Sequence, residues 1–405
     1  MNLDRLIYDW NEEALPGNRP PQHIELNDET LRDGLQSPSV KTPTIEQKIE
    51  LLHLMEKLGI HSADIGLPGA GPHVLEHVIA LAKEMVTHKM KIVPNCAART
   101  LKADITPIIE ASQRAGIKIE ACTFIGSSPI RQFAEGWSID QLLKYTEDAV
   151  TYAVQNGLDV MFVTEDTTRA HPDDIKKLYQ TAIRCGARRV CISDTVGHAT
   201  QEGIHRIVTF MREIIDETGE NVRIDWHGHN DRGLAVANAL NAIQAGAHRI
   251  HGTGIGVGER VGNVQMDQLM VNLKLKKWID NDLSMLPQYC KKVSDYTGIA
   301  IPWNYPIFGR DAFRTGTGVH AAAILKSLNK GDMELVDRVY SSVPAGMFGL
   351  EQVIEIGPLS GESNVIYWLK RRNIEPRDEL VKKIFQAAKQ STTVLTDEQI
   401  YALCK

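Results

Sequence analysis

In the stretch Asp225-Trp226-His227-Gly228-His229-Asn230-Asp231 two imidazoles stand two residues apart. On an extended strand, alternate side chains share a face, so both rings point the same way and can hold one cation. Asp33, in the run Asp28-Glu29-Thr30-Leu31-Arg32-Asp33-Gly34, offers a carboxylate at the end of another extended segment. Two histidines, one carboxylate and open coordination positions suit Zn, Mn or Fe(II) better than calcium, which takes a larger shell of oxygens. Beside that carboxylate, Arg32 is placed to neutralise an oxyanion developing on a substrate carbonyl. Glu165 and Asp166 add two carboxylates, which as a bare pair also read as a helix N-cap.

The run Gly252-Thr253-Gly254-Ile255-Gly256-Val257-Gly258-Glu259-Arg260-Val261-Gly262-Asn263 follows one strand-like segment and opens a helical one. Such a loop can present backbone N–H groups to an anion, or can simply make tight turns that bring backbone close to a metal. A dinucleotide fingerprint would belong after the first strand of an open sheet, not here. Six cysteines form no C-x-x-C pair, which excludes a thiolate zinc knuckle, and Cys96 and Cys191 read as small buried hydrophobes.

The elements that must position these groups alternate regularly. Strand-like runs rich in Ile, Val or aromatic residues occupy 22–27, 61–66, 90–94, 117–124, 158–163, 188–193, 222–227 and 248–253. Between them lie amphipathic helical stretches, beginning with 45–58 and continuing near 72–86, 102–115, 138–156, 172–185, 202–217, 232–245 and 264–277. Gly59, Gly116, Gly157, Gly186 and Gly246 stand where helices should end. Eight strand–helix units in about 260 residues is the arithmetic of an α/β protein of the (β/α)8 TIM-barrel type; an open doubly wound sheet is the competing architecture. Polar residues gather where successive strands stop: Asp33, Asp64, Asn95, Glu165, Asp194-Thr195, His227-His229 and Thr253. In a barrel that end carries the chemistry.

After about residue 280 the alternation stops, and a turn-rich stretch, 298–318, precedes candidate helices near 319–329, 350–356, 362–371, 377–389 and 396–404. The expected division is an N-terminal arm (1–21), a barrel (22–280), a linker with a first helical subdomain (281–330) and a second (331–405). The chain has 405 residues, 43% of them hydrophobic and 24% charged, which excludes a disordered chain. A formal charge of −6 gives no basic field for nucleic acid. No apolar run approaches the roughly 20 residues that cross a bilayer, and the first residues lack a signal-peptide core, so a cytoplasmic location is expected.

Three blocks carry a resemblance to a known family: Asp28 through Ser37, His227 through Gly233, and Gly256 through Asn263. Together with Phe162-Val163-Thr164-Glu165-Asp166, Ser193-Asp194-Thr195-Val196-Gly197 and Gly318-Val319-His320, they resemble the 2-isopropylmalate synthase/homocitrate synthase family. That family belongs to the metal-dependent barrel superfamily that also holds 3-hydroxy-3-methylglutaryl-CoA lyase. The resemblance implies a Claisen-type acyltransferase that condenses acetyl-CoA with a 2-oxo acid and hydrolyses the thioester. It further implies a divalent cation (Zn, Mn or Mg) on Asp33, His227 and His229, with Asn263 as a fourth ligand or supporting group. On the same grounds Arg32, Glu165 and His320 would be catalytic, and Arg32, Gln36, Thr195 and Arg131 would contact substrate. Gly254, Gly256 and Gly258 would meet acetyl-CoA, and the helical tail of one subunit of a homodimer would bring His320 to its partner's barrel.

Departures bear on the substrate. Leu35 stands where synthases usually carry Glu or Asn and where the lyase branch carries Leu; Thr315 replaces the first histidine of the usual tail motif, and His198 a frequent tyrosine. Arg131 lies near the arginine that homocitrate synthases use for the distal carboxylate of 2-oxoglutarate. The leading expectation is 2-isopropylmalate synthase acting on 2-oxoisovalerate in leucine biosynthesis, without leucine inhibition through an added C-terminal domain. Homocitrate, citramalate or other alkylmalate synthases come next. The lyase class lacks the long tail and has a cysteine in its glycine loop. A metal hydrolase of the amidohydrolase kind would carry its His-x-His pair on the first strand, and a binding protein would not need this set of residues together.

Overall fold

The computed structural model describes Leu6, Tyr8 and residues 23–405. The expected arm, 1–21, otherwise lies outside the described residues. Eight strands form a closed parallel barrel in sequence order: β1 (Glu25–Asp28), β2 (Ser62–Asp64), β3 (Val93–Arg99), β4 (Glu120–Gly126), β5 (Val160–Glu165), β6 (Arg189–Asp194), β7 (Arg223–Gly228) and β8 (Arg249–Gly252). Closure is made by β1 against β8, with Leu26 opposite Ile250 and Asp28 opposite Gly252. The open doubly wound alternative is thereby excluded.

Local chemistry starts and stops the outer helices where the sequence says it should. Thr44 and Gln47 form a reciprocal capping box at the start of Ile45–Lys57, and that helix buries Leu51, Leu52, Leu54 and Met55 against the barrel. The helix Lys102–Ala115 ends at Gly116, whose φ of 72° is a left-handed geometry that costs glycine nothing.

β3 differs from the expected 90–94 and continues through Asn95-Cys96-Ala97-Ala98, so Asn95 lies inside the strand instead of after it. These four small residues are almost wholly buried, and burial between lumen and helices overrides their modest strand propensity.

The barrel unit runs on to Ala300, beyond the expected boundary at 280. The cause is the helix Leu286–Thr297, which buries Leu286, Tyr289, Cys290 and Val293. Its Tyr289 hydroxyl donates to Asp28 Oδ2 at the end of β1 and lies 3.0 Å from Thr30 Oγ1.

Residues from Ile301 onward form a second compact unit. Its helices include Gly318–Asn329, Met333–Arg338, Glu362–Arg371, Asp378–Gln390 and Asp397–Cys404. The expected cut at 330 passes through one core, because Ala321, Ile324 and Leu325 pack with Val336, Ile354 and Tyr367. The expected helix at 350–356 is instead a short strand, Val353–Ile354, parallel to Arg314–Thr315. Gly349 and Gly357 flank it, and Val353 N–H and Glu355 N–H donate to the carbonyls of Phe313 and Thr315. That ladder satisfies backbone groups that a helical turn here would leave to water.

Candidate metal centre and active-site cavity

Reading each strand at period two explains what fills the lumen. From the N-terminal end upward, β1 and the turn after it send Glu25, Asn27 and Glu29 inward, β7 sends Asp225 and His227, and β8 sends Arg249 and His251. The lower layer is ionic: Arg249 binds Asp225 and Glu120, each at 2.6 Å, while Arg189 binds Glu25 at 2.7 Å and Asp225 at 2.8 Å. Buried charges are tolerated only when paired this closely. The two arginines hold the Asp225 carboxyl well below the usual range against the burial that would raise it.

At the C-terminal end the three expected cation ligands converge. His227 Nε2 lies 3.2 Å from His229 Nε2, and Asp33 Oδ2 lies 3.9 and 3.8 Å from those two nitrogens. Asp33 Oδ2 is buried without a hydrogen-bond partner. So is Asn263 Oδ1, on a residue whose backbone bridges to His229 while its Nδ2 donates to Val257 O. Burial, and then the neighbouring His227, push His229 down to about 4, which keeps its imidazole neutral. Two neutralisable imidazole nitrogens and two orphaned oxygens are the donor set a divalent first-row cation takes, so the residues fit such an ion.

Arg32 stands at the side of this cluster, its Nε donating to Asp64 Oδ2 at 2.7 Å and its Nη1 to Asp33 Oδ1 at 2.9 Å. Burial pushes Asp64 up to about 6 in spite of Arg32. Arg32, Asp33, His227 and His229 open into a cavity of about 140 Å³ that also reaches Gln36, Glu165, Ser193, Thr195 and Arg260. Its walls include Ala97, Cys122, Phe124, Met161, Val163 and Cys191. Thr195 Oγ1 accepts from the N–H of Asp166 at 2.8 Å, which leaves its own proton for an acceptor in the cavity. Burial raises the Glu165 carboxyl, opposed by Arg131 and then Arg32.

Other expected residues lie differently. Arg131, on the helix Pro129–Glu135, is not among the cavity walls; its Nη2 lies 3.2 Å from Glu135 and 3.7 Å from Glu165. Part of the glycine loop is turned inward. Gly254 N–H goes to Thr30 Oγ1 and Gly256 N–H to the Thr253 carbonyl, so two of the three amides expected to meet acetyl-CoA are engaged inside the protein. These glycines also allow close packing: a Cβ on Gly254 would meet the Tyr289 hydroxyl at 2.7 Å and one on Gly258 would meet Asn263 Nδ2 at 2.3 Å. His320 belongs to the second unit, on the helix Gly318–Asn329, stacked on Tyr340 with ring centroids 4.0 Å apart.

Sequence reasoning passed over Glu29, His251 and Arg260. The first two carry a legible signal, since they fall on the inward register of Glu25-x-Asn27-x-Glu29 and Arg249-x-His251. Arg260 reaches the cavity because a positive φ of 56° turns the loop there, and Asp231 and the Thr195 carbonyl hold its guanidinium. A further imidazole–carboxylate cluster, His53, Glu84 and His88, sits on the outer helices and is partly exposed.

A closed eightfold barrel with this polar mouth has a family. The HMGL-like model matches residues 23–291, and the chain belongs to that family. Homocitrate synthase AksA of Methanopyrus kandleri is 33% identical over 91% of this chain and 88% of its own length. A 2-isopropylmalate synthase of Lactococcus lactis subsp. cremoris is 32% identical over 94% of this chain and 73% of its own. Among solved structures, the HMG-CoA lyase of Bacillus subtilis superposes with a TM-score of 0.58 at 19% identity, covering 70% of this chain and 96% of that one, which bears on the fold alone.

Proposed function

We propose that the protein is an acyltransferase that condenses acetyl-CoA with a 2-oxo acid, and that 2-oxoisovalerate, giving 2-isopropylmalate for leucine biosynthesis, is the substrate its cavity fits best. The observation that carries the reading is the orphaned Asp33 Oδ2 facing His227 and His229 in a mostly polar cavity that keeps one apolar side. Cys122, Met161 and Cys191 form a buried apolar cluster with Val163 against it, which suits a branched hydrocarbon side chain. The competing substrate, 2-oxoglutarate, needs a cation for its distal carboxylate. Arg260 in the cavity wall is engaged by Asp231 and the Thr195 carbonyl, while Arg131 stands 3.7 Å from the cavity's Glu165 with its Nε unpartnered, so the oxo-acid panel decides between the two. The synthases among the relatives support the reaction class; their names include both substrates.

A divalent cation held by Asp33, His227, His229 and Asn263 would supply Lewis-acid polarisation of the substrate ketone. Arg32, fixed by Asp64 and Asp33, balances the negative charge that grows on that ketone oxygen. The Thr195 hydroxyl donates to the substrate carboxylate. A methyl proton of acetyl-CoA passes to a base, and the resulting carbon nucleophile forms the new C–C bond. Water then cleaves the thioester C–S bond, releasing CoA thiol and leaving a carboxylate. Glu165, whose raised carboxyl titrates nearer neutrality, and His320 are the residues proposed to handle the methyl proton.

The resemblance further implies that His320 acts on the barrel of a second subunit. Mixing two inactive variants, His320→Ala and Asp33→Ala, tests this: recovery of activity on mixing is expected if sites are shared between subunits. The reaction itself is tested by thiol release from acetyl-CoA against 2-oxoisovalerate, 2-oxoglutarate, pyruvate and oxaloacetate. Release with none of them would sink the proposal, and a preference for 2-oxoglutarate would move it to homocitrate synthase.

A further inference from the structure

Both ring nitrogens of His227 face polar groups, although the Glu29 oxygen beside Nδ1 makes no aligned hydrogen bond. Its Nε2 faces Asp33 and His229, while its Nδ1 lies 2.9 Å from Glu29 Oε2. The other oxygen of Glu29, Oε1, lies 2.9 Å from His251 Nδ1, and His251 Nε2 lies 2.9 Å from Asp225 Oδ2. Asp225 is anchored in turn by Arg249 and Arg189. The side chains of Glu29, His251 and Asp225 are each no more than 3% exposed. An unbroken line of polar contacts therefore climbs from the ionic floor of the barrel to the imidazole expected to bind the cation.

A carboxylate that accepts an imidazole N–H fixes the tautomer and ring plane and makes the other nitrogen a stronger donor to a metal. Glu29 Oε2, which accepts no other hydrogen bond, stands 2.9 Å from His227 Nδ1 to take that part. Glu29 can do this while buried only because it has counter-charges, and His251 and Arg32 stand on its Oε1 side. His251 is wedged between two carboxylates, its Nε2 hydrogen-bonded to Asp225 and its Nδ1 2.9 Å from Glu29 Oε1, which fixes where its ring stands.

We propose that Glu29 and His251 are positioning residues for the metal centre: Glu29 aims His227 Nε2 at the ion, and His251, braced on Asp225, aims Glu29. This rests on the reading of Asp33, His227 and His229 as cation ligands. Glu29, His227 and His251 are also close enough to suggest a second ion, but Arg32 Nη2 lies 3.3 Å from Glu29 Oε1, a cation already in that place.

The test is Co2+ titration of chelator-stripped protein in a His53→Ala background, which removes the exterior histidine cluster. Affinity is read by competition with a chromophoric chelator and geometry by the cobalt d–d absorbance. Glu29→Gln and the paired Glu29→Gln/His251→Gln variant, which removes both charges together, are each expected to weaken Co2+ binding about 10–100-fold and to shift the cobalt spectrum. Thermal unfolding of the metal-free variants reports the fold separately. Affinity within about twofold of the parent in both variants would overturn the proposal, as would a second cobalt ion lost in the Glu29→Gln variant. If the parent itself binds no cobalt, or if His227→Ala binds it as tightly, the ligand reading fails first.

Discussion

Arg32 and Asp33 are adjacent in sequence and paired in space, Arg32 Nη1 donating to Asp33 Oδ1 at 2.9 Å. The hydrogen bond occupies one carboxylate oxygen and turns the other, Oδ2, toward the imidazoles of His227 and His229. One carboxylate thus faces a guanidinium on one side and a ligand set on the other. With a cation held by that set, a ketone oxygen beside both would meet positive charge from the ion and from the guanidinium.

Asp33→Asn keeps the shape of this arrangement and removes its charge. The variant is expected to retain less than about one tenth of the divalent metal that the parent keeps after dialysis. Elemental analysis gives the answer, again with His53→Ala in both proteins; equal metal content in the two would reject Asp33 as a ligand.

Cys122 lies at the apolar side of the cavity, so added volume there enters the space a substrate side chain would fill. Cys122→Phe is expected to lower kcat/KM for 2-oxoisovalerate roughly 10–100-fold while sparing pyruvate, whose side chain is a single methyl. Thiol-release kinetics with the two oxo acids decide it. A parallel loss for both would mean that the wall does not hold the substrate side chain.

Burial raises the Glu165 carboxyl and Arg131 opposes that rise. If the carboxylate form is the active one, activity falls as pH drops through a value above the ordinary carboxylate range. Arg131→Gln removes the opposing charge and should move that acid limb to still higher pH. An unmoved limb in a kcat/KM profile would show that Glu165 does not govern it.

How much of this was legible varies with the kind of interaction. Gly116 announces its turn because few other residues adopt that φ, and His227 with His229 announces a ligand pair because a strand puts them on one face. Asn95 was misplaced because Cys96, Ala97 and Ala98 owe their strand to burial, which is decided by distant residues. Glu29 and His251 went unread for a related reason. Alone each is an ordinary polar residue, and only closure of the barrel, β1 against β8 with β7 adjoining, makes them neighbours. Tyr289 is farther still from Asp28 in sequence, and no local pattern joins them.

Asp28 yields a stability prediction. Burial pushes its carboxyl up to about 6, although hydrogen bonds from Thr30 and Tyr289 pull it down. An acid with a raised folded-state value binds its proton more tightly when folded, so its contribution to stability falls as pH rises from about 4 to 6. Asp28→Asn is neutral throughout, with its amide able to face the Tyr289 oxygen. Relative to the parent it should gain about 3 kcal/mol between pH 4 and neutrality, measured by urea unfolding across that range. A constant difference between the two proteins would mean that Asp28 does not titrate in the folded state.

The Tyr289 contact also tells where a barrel fragment can be cut. A fragment ending at 280 would strip Asp28 and Thr30 of their shared hydroxyl and lay bare the groove that Leu286, Cys290 and Val293 fill. Such a truncation discards part of the barrel's own wall, whereas one made at Ala300 keeps it, so the return helix belongs in any barrel fragment meant to fold by itself.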